Sequence, residues 1–218
     1  MKEIPLFPLN TVLFPGMPLN LHIFEERYKL MINACIEQRE PFGVVLISDN
    51  KTDTSPNATP HMIGCTAQIT QVQPLREGRM KITAVGKDRF QIMSLEHSKP
   101  YLVGMIEPYP LEIDETPGMR QQSRGLRRLV DSYLHLLKDA GQVQFSGPEL
   151  PESPMSLAYL SAVLLQTPAE QKQTLLESTD AQAMLDNLST TYRREVVLLE
   201  AMLNPPEDND YRGLYSLS

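Results

Sequence analysis

The chain has 218 residues, of which 41% are hydrophobic and 22% are charged, as is typical of a globular protein with a buried core. No run approaches the roughly 20 consecutive apolar residues of a membrane helix, and the N-terminus lacks the apolar core of a secretory signal, so a cytoplasmic protein is expected. The net charge of −7 argues against nucleic acid as a partner, because that affinity rests on clustered Lys and Arg. Cys35 and Cys65 are expected to be small buried hydrophobes rather than parts of a disulfide framework.

Residues 1–112 predict a sheet with one helix. The proline-punctuated apolar run Ile4–Leu13 is typical of an edge strand. Apolar residues three and four apart predict a helix over 25–37. About six strands are predicted in all. The further stretches are β-branched or alternating, and they lie at 19–23, 43–47, 63–72, 80–85, 90–92 and 102–106. The connections predicted between them are a surface loop over 49–60, a hairpin turn at 76–79 and a strand-to-strand turn at Gly86-Lys87. This spacing predicts a small antiparallel barrel or sandwich.

Residues 113–204 predict helices. Three helix starts are marked by a hydroxyl residue followed by proline, at Thr116, Ser153 and Thr167. Thr167 with Glu170, and Thr179 with Gln182, have the spacing of capping boxes. Apolar faces recur along a first long helix and a last long helix, with two shorter apolar helices between them, which predicts a four-helix bundle. Residues 205–218 are expected to form a C-terminal tail.

Several short motifs along the chain are informative in combination. They are Pro5-Leu6-Phe7-Pro8-Leu9, Leu13-Phe14-Pro15-Gly16-Met17-Pro18-Leu19, Leu21-His22-Ile23-Phe24-Glu25-Glu26-Arg27-Tyr28, Gly43-Val44-Val45-Leu46-Ile47, Ile63-Gly64-Cys65-Thr66-Ala67-Gln68-Ile69, Gly86-Lys87-Asp88-Arg89-Phe90 and Pro100-Tyr101-Leu102-Val103. Together they resemble the substrate-recognition N-terminal domain of the Lon protease family, over nearly the whole chain. The resemblance implies a PUA-like β-barrel followed by helices. In full-length Lon this domain precedes a AAA+ ATPase and a Ser-Lys peptidase.

No catalytic residue, cofactor site or metal site is predicted. The single Gly-Lys pair, Gly86-Lys87, is followed by Asp88 and lacks the glycines of a phosphate-binding loop. The histidines are scattered, whereas a metal site needs ligands at a defined spacing. The sequence also has no local signature of a nucleophile elbow. The chain is therefore expected not to be an enzyme.

A weak peptide-binding or partner-binding ledge is predicted at the start of the chain. Its residues are Phe14, Met17, Phe24, Arg27 and Tyr28. Two structural alternatives stay open at this point. Phe14 and Met17 would then plug one end of the barrel, and Arg27 would pair with Glu25 to fix the start of the helix.

The sequence leaves three functional hypotheses. The first is a recognition module for exposed apolar polypeptide segments, acting as an adaptor for a separate ATPase or protease. The second is an RNA-binding PUA-like module that uses an arginine face including Arg124 and Arg128. The negative net charge of the chain counts against this hypothesis. The third is an orphan hydrolase related to Lon in name alone. The client, the oligomeric state and any partner protease are not determined by the sequence.

Overall fold

The computed structural model describes residues 1–47, 59–112, 116–141 and 150–203. The strands are β1 (Lys2–Leu9), β2 (Pro18–Ile23), β3 (Phe42–Leu46), β4 (Ile63–Pro74), β5 (Met80–Glu96) and β6 (Val103–Pro108). The helices are α1 (Glu26–Gln38), α2 (Pro117–Asp139), α3 (Pro154–Leu164), α4 (Ala169–Leu176) and α5 (Ala181–Leu203). The fold is thus mixed α/β, with a sheet first and most of the helices after it. Most of the loop predicted at 49–60, and the tail at 205–218, lie outside the described residues.

The sheet is mixed, which corrects the prediction of a purely antiparallel barrel. Its strand order is β2-β5-β4-β3-β1-β6, and β5 also pairs with β6. β1 runs parallel to β3, with Phe7 opposite Val44, and the other strand pairs are antiparallel. A parallel pair needs a long crossover, which residues 10–41 supply with β2 and α1. The sheet is not a simple closed barrel, because β2 is an additional strand attached to β5.

The prediction that the first strand lies at a sheet edge is wrong. β1 is in register with β6 over Lys2–Pro5 and with β3 over Leu6–Leu9, so it has neighbours on both sides. The prolines are tolerated because these two ladders are offset along the strand, and each half of β1 contains one proline. Among the described strands, β2 lies at the end of the sheet order and pairs with β5 alone.

β5 is one continuous strand of 17 residues where the sequence predicted two strands and a turn. At Gly86, inside this strand, a Cβ atom would lie 2.2 Å from the carbonyl oxygen of Phe14. The Gly86 amide donates to the Met17 carbonyl at 2.9 Å, and the Gly86 carbonyl accepts from the Gly16 amide at 2.9 Å. Glycine is therefore required here by the close approach of another backbone, and not by a change of chain direction.

Two of the predicted helix caps are confirmed. The Thr116 hydroxyl accepts from the Met119 amide at 3.2 Å, and the Ser153 hydroxyl accepts from the Ser156 amide at 3.5 Å. In each case proline follows in the first turn, where its missing N–H removes no helical hydrogen bond. These starts are determined by neighbouring residues, which is why the sequence predicts them.

The two predicted capping boxes are corrected. α4 has Pro168 at its N-cap position and no side-chain cap, and the Thr167 hydroxyl is buried without a partner among the described residues. At the next helix, the carboxylate of Asp180 accepts from the Ala183 amide at 2.7 Å. The cap of α5 is therefore Asp180 and not Thr179, one residue beyond the prediction.

A regular bundle of four comparable helices is not confirmed. α2 and α5 each have 23 residues and pack against each other, whereas α3 and α4 have 11 and 8 residues. Tyr133 of α2 and Tyr192 of α5 meet edge to face, with ring centroids 5.2 Å apart. The Tyr192 hydroxyl also donates to the Ser161 carbonyl at 2.8 Å, which connects α5 to α3.

The sheet and the later helices share one hydrophobic core. Its largest cluster combines apolar residues of α2 to α5 with Val12, Phe14, Leu46 and Ile63 from the first part of the chain. A second cluster lies between the sheet and α1. Burial of apolar surface is the main stabilising contribution to folding, and here it joins the two parts. The division of the chain at residue 112 stays a prediction.

Candidate functional site

A groove with a volume of about 890 Å³ lies where the sheet meets the helical part. Its lining is mainly apolar and comes mostly from four strands (β1, β4, β5 and β6), from the segment after β6 and from α3. Apolar and aromatic residues of this lining include Ile4, Phe90, Ile106, Tyr109, Met155 and Tyr159. A concave apolar surface with a few polar groups is the usual form of a binding site. An extended segment placed here would bury carbon surface against both the sheet and α3.

The chain from Pro108, at the end of β6, to Pro110 forms one side of the groove. Pro108 and Pro110 have restricted φ angles and no amide N–H, so they present carbon surface. Between them, the Tyr109 amide donates to the Arg89 carbonyl at 3.0 Å. The Tyr109 hydroxyl donates to the Glu177 carbonyl at 3.2 Å. Tyr109 is thus held from both ends, which gives this side of the groove a fixed shape.

Arg89 of β5 is 4% exposed and joins the sheet to the helical part beside the groove. Its Nη1 donates to the carbonyls of Leu176 at 2.6 Å and Ser178 at 2.8 Å. Its Nε donates to the Tyr109 carbonyl at 3.2 Å, and its guanidinium carbon lies 4.8 Å from the centroid of the Tyr109 ring. One side chain therefore connects β5 to the segment after β6 and to the end of α4.

These carbonyls lower the cost of burying the Arg89 charge. Burial penalises a guanidinium, and it lowers the pKa of Arg89. Leu176 is the last residue of α4, and the carbonyl end of a helix carries partial negative charge. Loss of the Arg89 side chain would leave several buried carbonyls without donors, and such groups are costly. Arg89 consequently positions the residues that form the groove.

The groove also has polar groups that solvent can reach. Lys87 and Asp88 are exposed residues of β5, and Tyr159 of α3 is half-buried. Burial raises the pKa of Tyr159, while the nearby Arg89 charge lowers it, so the Tyr159 hydroxyl stays protonated at neutral pH. The Tyr159 hydroxyl is therefore a neutral hydrogen-bonding group among the lining residues.

A second polar cluster connects the sheet to α4. His61 Nε2 lies 3.1 Å from a carboxylate oxygen of Glu170, and His61 Nδ1 lies 3.3 Å from one of Glu177. The amide nitrogen of Gln173 donates to the Ile63 carbonyl and to the Glu177 carboxylate, each at 2.9 Å. Glu170, assigned to a capping box from the sequence, thus contacts a distant histidine instead.

The predicted ledge residues differ in exposure. Phe14 is fully buried in the shared core, and Tyr28 is 4% exposed and stacks on Phe7 with centroids 4.0 Å apart. Phe24 is 57% exposed, while Met17 and Arg27 are half-buried. Phe24, Met17 and Arg27 therefore present surface to a partner, and Phe14 and Tyr28 present almost none.

Arg27 makes local contacts within the ledge. Its Nε donates to the Glu25 carboxylate at 2.9 Å, and its guanidinium carbon lies 4.5 Å from the centroid of the Tyr28 ring. The pairing of Glu25 with Arg27, one of the two structural alternatives, is therefore present. The ledge adjoins the groove through Pro15, which lines it. A role for these residues in binding stays a prediction.

The arginine face of α2 is partly used inside the protein. Arg127 donates to the Leu150 carbonyl at 2.9 Å and so holds the segment that leads into α3. Arg124 donates to the Arg120 carbonyl one turn earlier, at 3.4 Å. Arg128 is exposed. The face is thus divided between structural contacts and solvent.

The patterns in the sequence do not predict the groove residues. Arg89, Tyr109 and Tyr159 are far apart in the chain and become neighbours only through the long strand β5 and the position of α3. Arg89 lies outside the alternation of β5, in which Met80, Ile82, Ala84, Phe90 and Ile92 are buried, so no local pattern marks it as a buried residue. A buried arginine needs several acceptors, and two of those of Arg89 belong to residues almost ninety positions away.

Two kinds of site are not found within the described ranges. No group of three or more His, Cys, Asp or Glu residues is arranged to hold a metal ion there. In the same residues, no helix combines the length and the apolar character that crossing a membrane requires.

Comparison with solved structures defines the class of fold. The chain resembles the Lon N-terminal domain protein from Xanthomonas campestris, with a TM-score of 0.63 and 22% identity over 87% of this chain and 98% of that one. It also resembles the N-terminal domain of the Lon protease of the Mycobacterium avium complex, with a TM-score of 0.68 and 18% identity over 88% and 98% of the two chains. The fold is that of a Lon N-terminal domain.

Comparison with protein families gives the family. Residues 3–191 match the family described as the ATP-dependent protease La (LON) substrate-binding domain, and the chain belongs to that family. The Lon protease of Paraburkholderia phytofirmans is 27% identical over 189 residues, which are 86% of this chain and 24% of that protein. The Lon protease of Desulforamulus reducens is 26% identical over 91% of this chain and 25% of its own length. The chain spans about a quarter of the length of these relatives.

Proposed function

We propose that this protein is a non-catalytic recognition module that binds exposed apolar segments of polypeptides in the groove between the sheet and α3. The observation that carries the proposal is the groove itself, an apolar surface of about 890 Å³ with a shape fixed by Arg89 and Tyr109. Membership in a substrate-binding family supports the class of ligand. Apolar burial in a pre-formed groove costs little conformational entropy on the protein side.

The proposed role is that of an adaptor, which holds a client for a separate ATP-dependent protease. The relatives named above are Lon proteases, and this chain corresponds to about a quarter of their length. The adaptor role predicts that adding the purified chain to such a protease speeds degradation of a client that carries a groove-binding segment. It also predicts that the chain alone leaves casein intact. Cleavage by the homogeneous chain would contradict a non-catalytic role.

The groove is tested with a matched pair of variants. Met155→Glu places a charge in the groove, and Met202→Glu places the same charge on α5 at a residue that is 73% exposed. Because transfer of a carboxylate to an apolar surface is costly, Met155→Glu should weaken binding of apolar peptides by about tenfold or more. Met202→Glu should leave the affinity unchanged.

The readout is the Kd of a fluorescent apolar peptide, measured by anisotropy against each variant and the parent protein. Circular dichroism spectra establish that each variant is folded. Equal affinities of the Met155→Glu variant and the parent protein would place the binding surface elsewhere, with the ledge at Met17, Phe24 and Arg27 as the next candidate.

A further inference from the structure

The charged residues of the groove are mainly cations, although the whole chain carries a net charge of −7. Lys2, Lys87 and Arg89 line the groove, and Asp88 is the one carboxylate among its described lining residues. Lys2 is already paired, because its Nζ lies 2.6 Å from a carboxylate oxygen of Glu40. Lys87 is exposed and has no ion pair within the described part of the chain. With Asp88 counted against Lys87 and Arg89, one net positive charge therefore remains next to the apolar walls.

The guanidinium of Arg89 is bonded to carbonyl oxygens and has no carboxylate partner within the described residues. Its Nη2 is buried and has no hydrogen-bond partner there either. A buried donor without an acceptor is unfavourable. The surrounding apolar side chains screen the charge less than water does, so it acts over a longer distance. An anionic group in the groove would gain from this charge even before any direct contact.

We propose that the groove selects polypeptide ends, namely a free C-terminal α-carboxylate that follows apolar side chains. This inference rests on the proposed function and specifies its ligand. An α-carboxylate is bonded to the same Cα as the last side chain. The last residue of a peptide therefore supplies both a negative charge and an apolar surface. The groove offers the matching arrangement, because the consecutive residues Arg89 and Phe90 both line it. Capture of a terminal carboxylate by clustered backbone N–H groups is a known mode of peptide recognition, and in this groove the donors are side chains.

The test compares one apolar peptide in three forms. The first has a free C-terminus, the second has an amidated C-terminus, and the third is amidated but has an internal aspartate. Amidation should weaken binding by about tenfold, because charge-assisted hydrogen bonds are roughly twice as strong as neutral ones. The difference should shrink as salt is added. The third peptide should bind as weakly as the second.

The outcomes separate this inference from the proposed function. Equal affinities of the free and amidated peptides would overturn carboxylate selection and leave apolar recognition in place. Full affinity of the aspartate peptide would also overturn it, since an acidic side chain would then be sufficient. If none of the three peptides binds, both the inference and the proposed function fail.

A matched pair of lysine variants assigns the effect to the groove. Lys87→Gln removes the exposed cation of the groove, and Lys81→Gln removes an exposed cation of the same strand outside it. Lys87→Gln should reduce the ratio between free and amidated affinities to about threefold. Lys81→Gln should leave the ratio as in the parent protein. An unchanged ratio in Lys87→Gln would overturn the placement of the carboxylate.

Discussion

The groove and the ledge are neighbouring surfaces that differ in how their arginines are held. In the groove, Arg89 is buried and bonded to carbonyls from a linker and from the end of α4. In the ledge, Arg27 is half-buried and pairs with Glu25, two residues away. The first arrangement fixes the relative position of distant elements, whereas the second affects one helix start. A surface of fixed shape is the better candidate for binding, because less order has to be created when a ligand arrives.

The largest expected effect is on stability, when Arg89 is replaced by methionine and compared with the same replacement at Arg27. Arg89→Met leaves buried carbonyls without donors and should lower the free energy of unfolding by about 3 kcal/mol. Arg27→Met removes a partly exposed pair and should lower it by less than about 1 kcal/mol. Urea unfolding followed by circular dichroism measures both. Similar losses in the two variants would remove the contrast between groove and ledge.

The next effect concerns Gly86, where the ledge segment approaches β5. Gly86→Ala places a methyl group against the Phe14 carbonyl and should lower the free energy of unfolding by about 1–3 kcal/mol. Gly125→Ala in α2 is the control, because no atom lies within 4 Å of the added carbon. That change should stabilise the protein by about 0.5–1 kcal/mol, since alanine favours a helix. A Gly86→Ala variant as stable as the parent protein would contradict the close approach.

The histidine cluster should matter less than Arg89, although both connect the sheet to α4. His61 is partly exposed, and solvent screens its contacts with Glu170 and Glu177. His61→Gln should lower the free energy of unfolding by less than about 1 kcal/mol. The same urea experiment measures this change. A loss as large as that of Arg89→Met would show that burial does not govern these two connections.

The smallest expected difference is between the reactivities of the two thiols, Cys35 on the side of the ledge and Cys65 on the side of the groove. Cys35 lies in α1 next to the ledge, and Cys65 lies in β4 beside the groove residue Thr66. Burial raises the pKa of Cys35 to about 11 and that of Cys65 to about 12. Both thiols therefore stay protonated at neutral pH, and thiolate accumulates only as the pH rises toward these values.

The thiol prediction is checked by the rate of reaction with a thiol-specific reagent. In the folded protein both cysteines should react far more slowly than in urea, and Cys65 should be somewhat slower than Cys35. Single Cys→Ala variants assign the rates to each position. Rapid labelling of either cysteine near neutral pH would show that the structure around it opens and exposes the thiol.

Short-range features of this protein could be predicted from the sequence, and long-range ones could not. The caps at Thr116 and Ser153 involve residues three positions apart, so the local sequence contains both partners. The parallel pairing of β1 with β3 depends on a crossover of about thirty residues, which no local pattern encodes. The resemblance to the Lon family rests on motifs spread along the whole sheet. The family match over residues 3–191 confirms it.

The candidate site was less predictable for the same reason. The ledge was inferred from large apolar residues near prolines, and this pattern does not distinguish a docking surface from the buried position that Phe14 occupies. The groove is formed by Arg89, Tyr109 and Tyr159, whose contacts join β5, the linker after β6 and the helical part. Such contacts follow from the packing of the whole chain.

Our main proposal is that an apolar polypeptide segment binds in the groove and not on the ledge. It is tested most directly by NMR, with amide chemical shifts followed while an apolar peptide with a free C-terminus is added. The amides of Ile106, Tyr109, Met155 and Tyr159 are expected to shift as binding saturates, while those of Phe24 and Arg27 are not. Saturable shifts at Met17, Phe24 and Arg27, with none around the groove, would contradict it.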